Sequence, residues 1–284
     1  MYLRTLLASL VVLPSVSSLH AGVMDGITGF FSGNSKQTPP TMRVLVVHDV
    51  PKANIEVRGE YSLYDPKTGQ FIDKRFTGKN RDIEGLDDGL KWGEAFPGRY
   101  QLEFRPSNDK TVILLDGKEY KGRLLVYDIG KTISIVDQVS VEDYVRGVLS
   151  QYNDDQLEPE ALAALAIAIR TNTYYQIDHP KTKFWTVDAK KVGFRGVEEA
   201  SPEIKEAARV TRNMILSKTG IYEGKATPIP SQFASKDVAL TREAEGATIS
   251  LEEANKMARA GDHAAKILGK AFPGSTIMLL DFPN

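Results

Sequence analysis

The run PEALAALAIAIRTNTYY, from Pro159 to Tyr175, restricts the fold more than any other part of the chain. Proline suits the first helical turn, where a missing N–H costs nothing, and the alanines behind it favour a helix. Alanine and aliphatic residues cover nearly every face as far as Arg170. A helix without a polar face must be surrounded by protein, so this one is expected at the centre of the second half of the chain.

The first half reads differently. From Met42 to Val139, the segments MRVLVVHDV, IEVRGEYSLYD, RYQLEFRP, KTVILLDG, RLLVYDIG and TISIVDQVS are β-branched or alternate apolar with polar residues. Asp65-Pro66, Thr68-Gly69, Asp116-Gly117 and Ile129-Gly130 punctuate them as hairpin and meander turns do. Ser140 then supplies a cap for a helix over Val141–Ser150, with Asp143 placed to reach back. Ser201-Pro202 opens a third helix, with Ile204, Ala207, Ala208, Met214 and Ile215 on one face and a stop at Gly220. Ile221–Tyr222 and Ala226–Ile229, joined through Glu223-Gly224-Lys225, read as a hairpin. Ser250 with Glu253 forms a capping box for a fourth helix ending at Gly261, and Asp262 caps a fifth that ends before Pro273-Gly274.

At the start, Arg4 precedes the apolar run Leu6–Leu13, Pro14 ends it, and Val16 and Ser18 fit the small-residue cleavage pattern of an export signal. The run is far short of the roughly 20 apolar residues of a bilayer span, so cleavage near Ser18 or Ala21 and no stable membrane span afterwards are expected. Residues 22–41, rich in Gly, Ser, Thr and Pro, read as a tether. The 36 Lys and Arg balance 37 Asp and Glu with no basic block, which argues against nucleic acid. The absence of cysteine excludes disulfides, thiolate nucleophiles and cysteine zinc sites. His20, His48, His179 and His263 lack metal-ligand spacing, so no metal and no cofactor are expected.

The stretch YKGRLLVYDIGKTISIVDQVSVEDYVRGVLSQYNDDQLEPEALAALAIAIRT resembles the signature of the sporulation stage II D / LytB amidase-enhancer family. Tyr120, Gly122, Glu142, Tyr144, Gly147, Val148, Glu160, Ala161, Leu162, Arg170 and Thr171 match that pattern without a gap. WTVDAKKVGFRG is similar to a further family segment through Asp188, Phe194 and Gly196, and SLEEANKMARAGDHAAKILGKAFPG to its terminal helix. The resemblance runs roughly from Met42 to Ile277. It implies work on peptidoglycan, either as a lytic transglycosylase or by promoting amidases. The implied chemistry needs one carboxylic acid to protonate the glycosidic oxygen, after which the sugar's 6-hydroxyl closes an anhydro ring.

The departures from the pattern bear on that chemistry. Tyr152 stands where the family has its glutamate, and Asn153-Asp154 follow in place of Met-Pro. A phenol with a reference pKa of about 10 is a poor acid for this step at neutral pH. Val192-Gly193-Phe194-Arg195-Gly196 replaces a Gln-x-Tyr-x-Gly, and Ser235-Lys236-Asp237 and Glu245–Ser250 replace two other polar segments.

The sequence therefore predicts an α+β protein with a signal peptide (1–21), a tether (22–41), a β-rich region (42–139) and a mainly helical SpoIID/LytB-like core with a glycan groove (140–284). Three readings follow. One is an exported, periplasmic or cell-wall protein that binds peptidoglycan glycan strands or promotes an amidase, through Tyr152, Arg170, Phe194 and Ser235. The second is a transglycosylase with a relocated acid, Asp154, Asp155 or Glu245. The third is a wall or division scaffold. Each residue also has a plain alternative: Tyr152 packs at a helix end, Asp154, Asp155 and Glu245 are solvated surface charges, and Arg170 pairs with Glu142 or Glu160. Tyr144, Tyr174, Tyr175 and Trp185 are further stacking faces for sugar, or core.

Overall fold

The computed structural model describes residues 39–153, 155–196, 200–222, 225–233 and 246–282. The chain begins with β1 (Thr41–Val50), β2 (Lys52–Arg58), β3 (Tyr61–Tyr64), β4 (Phe71–Arg75), β5 (Lys79–Leu86) and β6 (Gly89–Trp92). It continues through β7 (Glu94–Phe96), β8 (Gln101–Pro106), β9 (Val112–Leu115), β10 (Lys118–Tyr120), β11 (Arg123–Asp128) and β12 (Ile133–Ser140). Then follow α1 (Val141–Leu149), α2 (Pro159–Asp178), β13 (Val187–Asp188), α3 (Ala189–Val192), α4 (Pro202–Val210), β14 (Met214–Lys218), α5 (Leu251–Arg259), α6 (Ala264–Ala271) and β15 (Ser275–Leu279). The first half is β-rich, as its alternation implies.

The strands build a seven-stranded sheet, β13-β1-β12-β11-β8-β3-β4, and a six-stranded sheet, β10-β9-β2-β5-β6-β7. Alternation along each strand sends Met42, Val44, Phe104, Leu124 and Val126 of the first and Ile55, Val57, Ile83, Trp92 and Ile113 of the second into one core. Trp92 ties the sheets together. Its indole N–H donates to Ile55 O and Arg81 O within its own sheet, and its ring meets Phe104 of the other edge-on at 4.9 Å.

Turn chemistry sets the register. Leu115 pairs with Lys118 across the two residues Asp116 and Gly117, at φ 49° and 80°, the doubly left-handed tight hairpin that this dipeptide favours. Strands β4, β5, β6, β7 and β10 were not legible from the sequence. In KNRDIEGL of β5 only Ile83 is buried, because the opposite face is in water, so the apolar signal is one residue long. IEVRGEYSLYD is two strands, β2 and β3, separated at Gly59, whose φ of 109° turns the chain.

In the second half, Ser140 Oγ accepts from Asp143 N and caps α1. α2 is enclosed: Ala161, Leu162, Ala164, Leu165, Ile167, Ala168 and Arg170 are all buried, with α1, α4, α5, α6 and β14 around them. The third helix is shorter than its pattern suggests. It stops at Val210, Asn213 takes a left-handed φ of 62°, and Met214–Lys218 becomes a strand pairing with β15. The expected hairpin after Gly220 is also absent. Gly220–Tyr222 is a 3-10 turn, and the segment after it runs back along β14, with Pro228 bridging to Ser217 and Lys218 N donating to Thr227 O. Asp262 does not cap α6; it accepts from Lys266 Nζ, and the free helix N–H of Ala264 is bonded instead by Glu160 Oε2 of α2.

One buried acid lacks an evident partner. Asp137 of β12 is fully buried, its carboxyl oxygens make no well-formed hydrogen bond, and a side chain at Gly122 would overlap it. Burial first, then the charge of Asp143, push its pKa from 3.8 to about 8, against a weaker pull from the Gly122 N–H. The folded state thus holds a proton that the unfolded chain releases. The contribution to stability is complete below about pH 3.8 and is lost progressively as pH rises to about 8. The urea midpoint of the native chain should fall from pH 5 to pH 8, and that of Asp137→Asn should fall less; equal slopes would show that Asp137 is not the titrating group.

Candidate functional site

The loop between α1 and α2 carries most of the predicted site, and three stretches of the chain meet on it. Ser150–Tyr152 forms one 3-10 turn after α1. Gln151 Nε2 donates to Val148 O at 2.9 Å and to Val192 O at 3.4 Å, with Gly193 at φ 70° packed on the same side chain. Asn153 Oδ1 accepts from Ser201 N at 2.9 Å. From the other side, Asn255 of α5 accepts from Glu158 N at 2.8 Å and donates to Gln156 O at 3.0 Å, while Arg259 Nη2 donates to Gln156 O. Backbone groups that have no helical or sheet partner are thereby bonded from both flanks. The loop is a built feature rather than a bare connection.

Tyr152 is half-buried in this loop, and burial, then the charge of Asp155, raise its pKa above the ordinary value. Its phenol is therefore a still weaker acid than free tyrosine. Asp155 is exposed, with its N–H donating to Tyr152 O at 3.0 Å. Asp154, Ser235 and Glu245 lie outside the described residues.

Two of the predicted binding residues are buried in this structure. Phe194 is 6% exposed and stacks on Tyr144 at 5.5 Å and 24°, with Tyr120 at 6.5 Å. Gly147 allows this, since a Cβ there would come within 2.6 Å of the Phe194 ring. Arg170 is 0% exposed. Its Nε and Nη2 each donate to a Glu142 carboxylate oxygen at 2.8 Å, and the remaining N–H groups reach Thr211 Oγ1, Met214 O and Ala208 O at 3.3 to 3.4 Å. Of the two acids weighed for this pair, Glu142 takes it; Glu160 is used on α6. In this structure Arg170 ties α2 to α1, α4 and β14, and Phe194 packs on Tyr144 of α1.

Sequence reasoning missed Asn255, Gln151 and Asn153, which hold the loop. Asn255 had a faint signal, a polar residue beside Ala254 on the helix side that is buried; the other two look like ordinary loop residues. Tyr144 and Tyr174 are core, Tyr175 stacks on His179 at 4.3 Å, and Trp185 lies on the far face of the seven-stranded sheet. A depression of about 530 Å³ lies away from the loop, on the six-stranded sheet. Two of its three cations are paired within it, Lys52 with Asp82 and Lys91 with Glu84, and Arg81 donates to Asn80 O. Among the described residues, no group of three or more His, Asp or Glu is placed to hold a metal ion, and no helix is long and apolar enough to cross a membrane.

Residues 129–217 match the family model described as Stage II sporulation protein, SpoIID. These residues are thus similar to the SpoIID domain, which suggests a function related to the cell wall. The match is narrower than the resemblance from Met42 to Ile277, and it contains Tyr152, Arg170 and Phe194. An uncharacterized protein of Chlamydia pneumoniae is 32% identical over 160 residues, 55% of this chain and 58% of that protein. One of Chlamydia muridarum is 27% identical over 181 residues, 62% and 63% of the two chains. One of Brachyspira hyodysenteriae is 29% identical over 174 residues, 60% and 45% of the two chains. This chain covers less than two thirds of each.

Two substitutions test the supports. Glu142→Ala leaves a buried guanidinium without its counter-charge and should cost on the order of 3–5 kcal/mol in urea unfolding; a loss under 1 kcal/mol would show that the pair is dispensable. Asn255→Ala should cost about 1–3 kcal/mol and speed amide exchange at Glu158, and unchanged exchange there would mean the clamp does not hold the loop.

Proposed function

We propose that the chain is an exported cell-wall protein that binds peptidoglycan glycan strands around Tyr152, as a binding or amidase-promoting module without the glutamate acid of its family. The helical region from residue 140 onward would carry the glycan groove, tethered through residues 22–41 after removal of a signal peptide at 1–21. One observation carries the reading. The loop at the family's acid position is built and clamped on both sides, yet the side chain it presents is a phenol whose proton is held more firmly than usual. A half-buried aromatic ring offers a stacking face to the apolar C–H side of a sugar, and protonation of the glycosidic oxygen has no donor in Tyr152. Arg170 and Phe194 act in this reading by shaping the floor of the site.

A second reading rests on Asp155, whose charge acts on Tyr152 and whose side chain is open to water. It is the described carboxylate nearest in sequence to the lost acid, and a transglycosylase using it would release anhydromuropeptides.

The test is incubation of the purified full chain with insoluble peptidoglycan, followed by sedimentation and mass analysis of the supernatant. We expect retention on the wall without anhydro products, with retention reduced roughly fivefold to tenfold in Tyr152→Ala, the size of one lost aromatic contact. Anhydro products that vanish in Asp155→Asn would establish the second reading. Neither retention nor products would remove both.

A further inference from the structure

The outer face of the seven-stranded sheet, opposite the shared core, carries a second apolar cluster of Leu45, Leu125, Tyr127 and Val136. The segment between α2 and β13 crosses this face. Trp185 packs on the cluster, and Phe184 meets Tyr127 edge-on at 5.3 Å. The crossing is fixed rather than loose. Arg43 Nη1 donates to Lys183 O at 3.0 Å, Thr186 N donates to Arg43 O at 2.9 Å, and Thr182 Oγ1 accepts from Phe184 N and Trp185 N while donating to Trp185 O.

More aromatic surface is presented than a roof over four side chains requires. His48, Trp185 and Phe184 form a row with centroids 5.8 and 6.3 Å apart. His48 is exposed, Trp185 half-exposed and Phe184 36% exposed. His48 is oriented by a 3.0 Å bond between Nδ1 and Ser134 Oγ. Cations flank the row: Arg43, Lys181 and Lys183 pair with no carboxylate among the described residues. The Lys183 ammonium lies 5.1 Å from the centre of the Phe184 ring. The neighbouring acids are otherwise occupied, Asp188 with Lys190 N and Asp49 with Thr132 Oγ1.

Rings spaced along a rigid surface take sugar rings by their apolar faces, and unpaired cations beside them select a ligand with carboxylates. We infer that the row His48–Trp185–Phe184, with Arg43 and Lys183, is a second glycan subsite, remote from Tyr152, for amino-sugar strands bearing carboxylates. It rests on the wall-binding reading and deepens it: two separated contacts on one strand strengthen each other when the strand spans both.

The chain contains two tryptophans, and Trp92 is fully buried, so collisional quenching by acrylamide reports Trp185. The experiment uses the full chain with soluble glycan strands stripped of peptide, which keep their lactyl carboxylates, and with a neutral chito-oligosaccharide of equal length. We expect the strands to protect Trp185 from acrylamide, the neutral sugar to protect it more weakly, and Tyr152→Ala to leave protection at saturation unchanged. Phe184→Ser should weaken strand binding about tenfold, and Lys183→Gln, a surface change that leaves the cluster intact, at least threefold. Strands bound by the native chain with unaltered quenching, or with Lys183→Gln binding as tightly as native, would overturn this subsite and leave the wall reading standing. Equal protection by the neutral sugar would overturn the carboxylate selection. A native chain that neither binds strands nor sediments with wall would overturn both proposals.

Discussion

The helical half is organised around one buried guanidinium. Arginine has five N–H donors and cannot be neutralised inside a protein, so a wholly buried one forces its surroundings to supply five acceptors. Arg170 finds them on Glu142 of α1, Thr211 and Ala208 at the end of α4, and Met214 of β14. Three elements, α1, α4 and β14, are thereby fixed relative to α2 by a single side chain. The end of α4 is settled in the same contact, because Thr211 must stay within reach while Asn213 turns left-handed to bring its N–H toward Glu142.

The site loop is anchored to this centre at one end and to the sheets at the other. Glu142 is in the first turn of α1, whose cap, Ser140, is the last residue of β12. Farther along the same helix, Tyr144 stacks on Phe194, and Phe194 neighbours Tyr120 at the end of β10. An aromatic chain thus runs from the six-stranded sheet through the segment after α3 to α1. Tyr152 follows α1 in the loop, where burial raises its pKa while leaving the residue partly exposed.

How much of this was legible depended on whether a residue's neighbours were local. Ser140 and Ser250 accept from Asp143 N and Glu253 N, and Asp116-Gly117 makes its hairpin turn, all within a few positions, while the Glu253 carboxylate bonds Lys270 in place of closing a capping box. Met214 and Ile215 were placed on a helix because their spacing continues the face of Ile204 and Ala207; the strand pairing that claims them comes from residues 275–279, invisible to any local pattern. Asp262 looked like the cap of α6, and Glu160, about a hundred positions away, supplies it. Phe194 and Arg170 looked like ligand contacts because they matched a family pattern, and a pattern does not distinguish residues that touch a ligand from those that hold the residues that do.

The sequence by itself determined the β-rich first half, the enclosed helix and the likeness of residues 129–217 to the SpoIID domain, because hydrophobic period, capping chemistry and residue identity are properties of neighbouring positions. Tertiary structure alone decided which acid pairs with Arg170, which strand pairs with β14, how the site loop is clamped by Asn153 and Asn255, and that Trp185 packs on Leu45, Leu125, Tyr127 and Val136. Those outcomes depend on free energies of burial and hydrogen bonding between segments far apart in the chain, and they exist only once the chain has closed on itself.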